Sequence, residues 1–165
     1  MPRSRYTADI QRIATVEGVD PNLVEGIVLT ESSGNADAFR FEPLFWNRYL
    51  KSKSEWIGRN PRRVSSSYGL MQIMYPVALE RGYDPKNPPE LLFVPDMGLR
   101  YGCRQLRWLQ DWAEGFPQAT PAKRLQAALA SYNGGRGGNS PTDAILRNEV
   151  YARKVLSAVA KLDQP

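Results

Sequence analysis

The sequence predicts a mainly α fold, one domain carrying a substrate cleft, on three observations. Apolar residues recur at helical spacing in segment after segment. Prolines precede these segments and glycines follow them, which is how helices are commonly bounded. No run keeps the period-two alternation of a half-buried strand. With 165 residues, 42% of them hydrophobic, the chain can bury roughly two-thirds of its unfolded surface. Residues 1–165 therefore read as a single domain, with no internal repeat, low-complexity tract or linker.

The first helix is expected from about Thr7, a residue able to cap it, through Ile10, Ile13 and Ala14 to a stop at Gly18. Asp20-Pro21 opens the second, with Asp as N-cap and Pro in the first turn. The aromatic and basic segment 39–63 is the least regular and reads as a short helix and loop packed on the body. Its rings and cations also suit stacking against sugars. Further helices are expected from about Pro76 to Arg81, Pro95 to Ala113, Pro121 to Tyr132 and Asn148 to Leu162, with Gly82, Gly115 and Gly134 as stops. In the Pro95 helix, Leu99, Cys103, Leu106, Leu109 and Ala113 form one stripe, and Gly98 with Gly102 leaves room for a close neighbour. That helix is the expected centre of the core. Lys86-Asn87-Pro88-Pro89 reads as a surface loop.

Composition removes several chemistries. There is no histidine, so Ser-His-Asp and Cys-His nucleophile systems and His-ligated zinc sites are excluded. Acid–base work falls to carboxylates, tyrosine or lysine. The one cysteine, Cys103, cannot form an internal disulfide or a multi-cysteine metal site and is expected in the core. No metal or cofactor is implied. No apolar run approaches the roughly 20 residues of a membrane span, and the N-terminus lacks the apolar stretch of a secretory signal. The net charge of +5 is spread along the chain and favours attraction to a polyanion, an envelope or a nucleic acid. The expected helices carry no basic stripe, so a nucleic-acid partner is not expected.

The most informative single residue is Glu31. Leu23, Val24, Ile27 and Val28 define the apolar face of the second helix, and Glu31 follows them at helical spacing on that same face. A carboxylate there points into the core or a cleft. Burial and the negative end of the helix dipole both raise its pKa, the condition for a general acid at neutral pH. A buried glutamate satisfied by hydrogen bonds, or a helix that ends sooner, would also fit this spacing. Tyr132 and Tyr151 fall on the apolar faces of two later helices, where core packing is the expectation unless they converge on one cleft.

Three stretches occur in a telling order: Glu31-Ser32-Ser33-Gly34-Asn35, then Tyr68-Gly69-Leu70-Met71-Gln72-Ile73-Met74, then Ser131-Tyr132-Asn133-Gly134-Gly135. Together they resemble the soluble lytic transglycosylase family, whose domain has the lysozyme-like α fold. Gly18-Val19-Asp20-Pro21 and the pair Tyr151 and Val155 add looser matches, so the resemblance covers nearly the whole chain. It implies that Glu31 is the catalytic acid and base. It also implies that Met71 and Gln72 line the glycan groove, that Tyr132 and Asn133 support the site, and that Tyr151 places its hydroxyl near the carboxylate. Ser65 and Ser67 are candidates for the family's serine contact to substrate. The implied partner is the glycan strand of bacterial peptidoglycan, cut between N-acetylmuramic acid and N-acetylglucosamine to leave 1,6-anhydro ends.

The chain departs from that pattern in three places. The stretch from Glu31 to Gly69 is longer than usual and contains Glu42, a possible second carboxylate. Gly135 replaces the family's alanine or is shifted against it, and Arg147 stands where the family has a glutamate before the late tyrosine. A water-using muramidase, with Glu42 or Asp37 positioning the nucleophile, is therefore one alternative reading. A catalytically silent peptidoglycan-binding or virion structural protein is another. The expected protein is a monomer without membrane insertion. It is made in a host cytoplasm and reaches the periplasmic wall after holin-type release, or is carried in a virion.

Overall fold

The computed structural model describes residues 2–136 and 140–162. Two helices open the chain, α1 (Thr7–Glu17) and α2 (Pro21–Glu31), followed by a short strand β1 (Phe39–Phe41). A single turn α3 (Pro43–Phe45) runs on as a π-helical turn over Trp46–Leu50, and a 3-10 turn (Ser54–Trp56) leads to α4 (Pro61–Val64). Strands β2 (Ser66–Tyr68) and β3 (Ile73–Met74) come next, then α5 (Tyr75–Glu80), a 3-10 turn (Pro89–Phe93), α6 (Pro95–Glu114), α7 (Pro121–Gly134) and α8 (Pro141–Ala160). The three strands form one antiparallel sheet in the order β1-β2-β3, with Arg40 opposite Ser67 and Ser67 opposite Met74.

Local chemistry explains most helix ends. The Asp20 side chain accepts from the Asn22 N–H ahead of Pro21, and Gly18 ends α1 in the left-handed conformation. Asn60, Thr120 and Ser140 cap α4, α7 and α8 in the same manner as Asp20. Thr7 is not a cap: it lies inside α1, where its hydroxyl, with one proton to donate, stands between the Ser4 carbonyl and the carboxylate of Glu25. The last helix begins at Pro141, earlier than its apolar spacing indicates, and is kinked at Asn148 (φ −152°, ψ 44°). The stripe on α6 is buried throughout, Cys103 included, and burial pushes the Cys103 thiol up to about 12.

The two larger apolar clusters share α6. One gathers Ile10, Ile13, Val24, Ile27 and Val28 with Leu99, Cys103, Leu129 and Val155; α2 packs against α8 there, and α6 against α7. The other gathers Leu50, Trp56, Val64, Tyr68, Tyr75, Tyr83 and Leu92 beneath the irregular segment and the sheet. Segment 39–63 is therefore packed on the body, as a strand and several short turns. No helix of the described residues is long and apolar enough to cross a membrane.

The turn between β2 and β3 depends on Gly69. Its φ is +69°, and a Cβ there would stand 2.5 Å from the Leu92 carbonyl oxygen. Gly69→Ala is expected to cost about 2–3 kcal/mol, read as a lower midpoint in urea unfolding.

Candidate active site

The last residue of α2 reaches the floor of a cleft of about 490 Å³. Val28, three residues earlier, is fully buried, so the helix carries Glu31 from the core to the cleft wall, where it is half-buried. Ser32 fixes this end: its hydroxyl, with one proton to donate, stands between the carbonyls of Val28 (3.0 Å) and Leu70 (2.8 Å), tying α2 to the turn between β2 and β3. That turn supplies Gln72, a non-glycine residue at φ 48°. The Gln72 amide donates to the carbonyls of Ala38 (3.0 Å) and Gly69 (3.1 Å), which fixes its side chain at the cleft wall. The opposite wall comes from the end of α7, where Ser131, Tyr132, Asn133, Gly134 and Gly135 line the space.

Burial raises the proton affinity of Glu31 and is the largest influence on it. Tyr151, Arg40 and Asn133 pull the other way, and the nearby charge of Glu42 adds a small upward push. The net shift is upward, so the carboxyl holds its proton to higher pH than an exposed glutamate. The buried Tyr151 hydroxyl makes no hydrogen bond of ordinary geometry. It nevertheless lies near enough to the Glu31 carboxylate for each to shift the other as a hydrogen bond would, Glu31 down and Tyr151 up.

Asn133 is oriented by a residue that its own motif does not contain. The Asn148 amide, at the kink in α8, donates to Asn133 Oδ1 at 2.8 Å. With that oxygen engaged, the NH₂ group of Asn133 is the end left to donate to Glu31, consistent with its downward pull. The kink thus sets which way the amide faces. Tyr132 donates its hydroxyl to the Met71 carbonyl at 2.9 Å and joins α7 to the β2–β3 turn behind the carboxylate.

The structure brings Glu31, Ser67, Gln72, Tyr132, Asn133 and Glu42 to one cleft, with Tyr151 buried behind Glu31. Two expectations need correction. Met71 does not line the groove: its side chain is fully buried, and a Cβ on Gly102 of α6 would overlap its sulfur. Only its carbonyl serves the site, through Tyr132. Ser65 is also fully buried, and its hydroxyl donates to the Glu42 carbonyl (2.9 Å), so it holds the chain at Glu42 and is closed to substrate. Arg40, Phe45, Tyr49 and Gln105 line the cleft without having been singled out as site residues. Arg40 and Glu42 lie two residues apart from β1 onward, the strand spacing that puts side chains on one face, and their side chains form an ion pair at the cleft wall. That spacing was the available signal for Arg40.

A half-buried carboxyl at a helix end thus faces a cleft lined by tyrosine, asparagine and glutamine side chains in a mainly α domain. The chain belongs to the transglycosylase SLT domain family, whose sequence profile matches residues 9–145. Among solved structures it is similar to an inactive mutant of the lytic transglycosylase Slt from Pseudomonas aeruginosa, with a TM-score of 0.62 and 20% identity. The match covers 94% of this chain and 23% of that one, so the chain spans about a quarter of that protein's length. The fold is the mainly α, lysozyme-like one. No curated protein matches the chain.

The raised pKa has a stability consequence. Below the ordinary glutamate value of 4.5, Glu31 is neutral in folded and unfolded chains alike. As pH rises past 4.5 the unfolded chain loses this proton first, so stability falls until the folded carboxyl also ionises. Glu31→Gln is expected to raise the melting temperature at neutral pH, with the advantage vanishing below about pH 4, as measured by calorimetry across pH.

Proposed function

We propose that this chain is a peptidoglycan lytic transglycosylase in which Glu31 is the one catalytic carboxylate. The observation that carries the reading is the half-buried Glu31 carboxyl, raised in pKa by desolvation and facing an open cleft. Protonated, it donates its proton to the oxygen joining N-acetylmuramic acid to N-acetylglucosamine, and the C1–O bond breaks as the muramic ring gains oxocarbenium character. The carboxylate so formed is then the base. It takes the proton of the muramic 6-hydroxyl, whose oxygen bonds to C1 and closes the 1,6-anhydro ring. No water is consumed, and Glu31 ends as it began.

The chain's own groups suit both halves of this cycle. Desolvation favours the acid at rest, while Asn133, Tyr151 and Arg40 stabilise the carboxylate once the proton has left. Gln72 and Ser67, on the sheet side of the cleft, and Tyr132 and Asn133, on the α7 side, are the proposed contacts to the glycan. We read residues 1–165 as one domain acting as a monomer on glycan strands, without nucleic-acid or membrane partners, in a phage-type lysin released through a membrane lesion or carried in a virion.

Glu42 lies in the same cleft, which keeps hydrolysis as the second reading. Its surroundings favour transglycosylation. The Glu42 carboxylate is engaged by Arg40, and its backbone N–H and carbonyl are both bonded to Ser65.

Mass spectrometry of products from purified sacculi separates these readings. Wild-type protein is expected to release anhydromuropeptides, Glu31→Gln to lose about 10²–10⁴-fold in rate, and Glu42→Gln to retain the anhydro products within a few-fold. Reducing-end products that disappear in Glu42→Gln would establish hydrolysis. No products from folded wild-type protein would favour a binding or structural protein.

A further inference from the structure

Beyond Gln105 the cleft wall carries a feature that acid–base chemistry at Glu31 does not use. Trp108, one turn along α6 from Gln105, has two guanidinium groups against its ring: Arg81 at 3.9 Å and Arg136 at 4.6 Å from the centroid. Arg81 is anchored, its Nε donating to Gln105 Oε1 at 2.7 Å, and Gln105 itself lines the cleft. Arg136 follows Gly135, another lining residue, and is exposed. Two positive charges therefore share one indole at the cleft's edge.

Their charges are poorly compensated. The carboxylate beside Arg81 is that of Glu80, at 3.6 Å and largely in solvent. Among the described residues no carboxylate pairs with Arg136. Elsewhere on α6, by contrast, Arg100 pairs with Asp96 and Arg104 with Glu17, each at 3.0 Å. An indole face attracts a guanidinium without cancelling its charge and leaves the planar N–H edge free to bind an anion. Burial and the neighbouring Arg136 both lower the proton affinity of Arg81, as expected for cations held together before an anion arrives.

We propose that Arg81, Arg136 and Trp108 form an anion-binding subsite that takes a carboxylate of the peptide stem borne by the substrate glycan. The inference rests on the reading of peptidoglycan as substrate. N-acetylated sugars with amide-linked stems carry no charge on the glycan itself; the negative charge lies in the stem carboxylates. A cationic edge beside a groove for neutral sugars therefore selects strands whose stems are in place, and a guanidinium edge can hold a carboxylate through two parallel hydrogen bonds. Arg136 makes the proposed contact, and Trp108 with Arg81 positions it.

The test uses soluble glycan strands with free stem carboxylates and the same strands after carbodiimide coupling to methylamine, which neutralises those carboxylates and leaves the glycan intact. Wild-type KM is expected to be about five- to tenfold lower on the free-carboxylate strands, with kcat alike on both. Arg136→Gln should remove that difference by raising KM on the free-carboxylate strands alone, and Arg136→Lys should restore part of it. If wild type and Arg136→Gln respond equally to amidation, the subsite is overturned. If wild-type protein cleaves neither strand, the functional reading has failed. Binding then decides the subsite: titration with the free stem peptide, followed by the Trp108 indole NMR signal, should saturate in wild type and fail in Arg136→Gln. A titration that moves Trp108 in neither protein, or equally in both, overturns the proposal.

Discussion

The cost of taking one carboxylate out of water organises this molecule. Glu31 ends a helix whose preceding turns are built of leucine, valine and isoleucine, and the same face that seats α2 in the core delivers the carboxyl to the cleft. An ion buried without compensation would cost several kcal/mol, and a protein normally relieves such a cost by pairing or by protonation. Here the compensation is partial. Asn133, Tyr151 and Arg40 favour the ionised form, yet desolvation outweighs them. The balance tilts toward the proton-bound form, with groups that favour the ionised form standing beside it.

Holding that balance requires parts of the chain far apart in sequence to meet around one cleft. Ser32 ties the end of α2 to Leu70, Tyr132 ties α7 to Met71, and Asn148 ties α8 to Asn133. The first two bonds fasten helices beside the carboxylate to the β2–β3 turn, and the third fastens together α7 and α8, which bring Asn133 and Tyr151 to it. The kink at Asn148 breaks the local helical geometry, and the break turns an amide toward the site. Met71 illustrates the same economy: its side chain fills the space above Gly102 in the core while its carbonyl serves the cleft.

Much of the helical scaffold was legible because its signals are local. Asp20-Pro21 and the glycine stop at Gly18 bound their helices by the chemistry of a cap, and the α6 stripe runs long enough to show its period. The sheet was not legible: its strands have two or three residues each, and β2 is buried on both faces, so no alternation develops. Within the site, Glu31 stood out by face, and Gln72, Tyr132 and Asn133 by resemblance. Met71 and Ser65 misled because neighbouring motif residues point in different directions, a matter decided by backbone geometry at the turn. Asn148 acts from a different helix than the motif it supports, and only folding brings the two together.

The central claim is that burial keeps the Glu31 carboxyl protonated above the range of an exposed glutamate. The direct measurement is a pH titration of protein ¹³C-labelled at glutamate side-chain carboxyls, with the Glu31 signal assigned by its loss in Glu31→Gln. The account predicts a midpoint clearly above 4.5, moving higher still when Asn133 is replaced by alanine. A midpoint at or below 4.5 would mean that the hydrogen bonds and Arg40 outweigh desolvation, and would contradict the assignment of Glu31 as the resting acid.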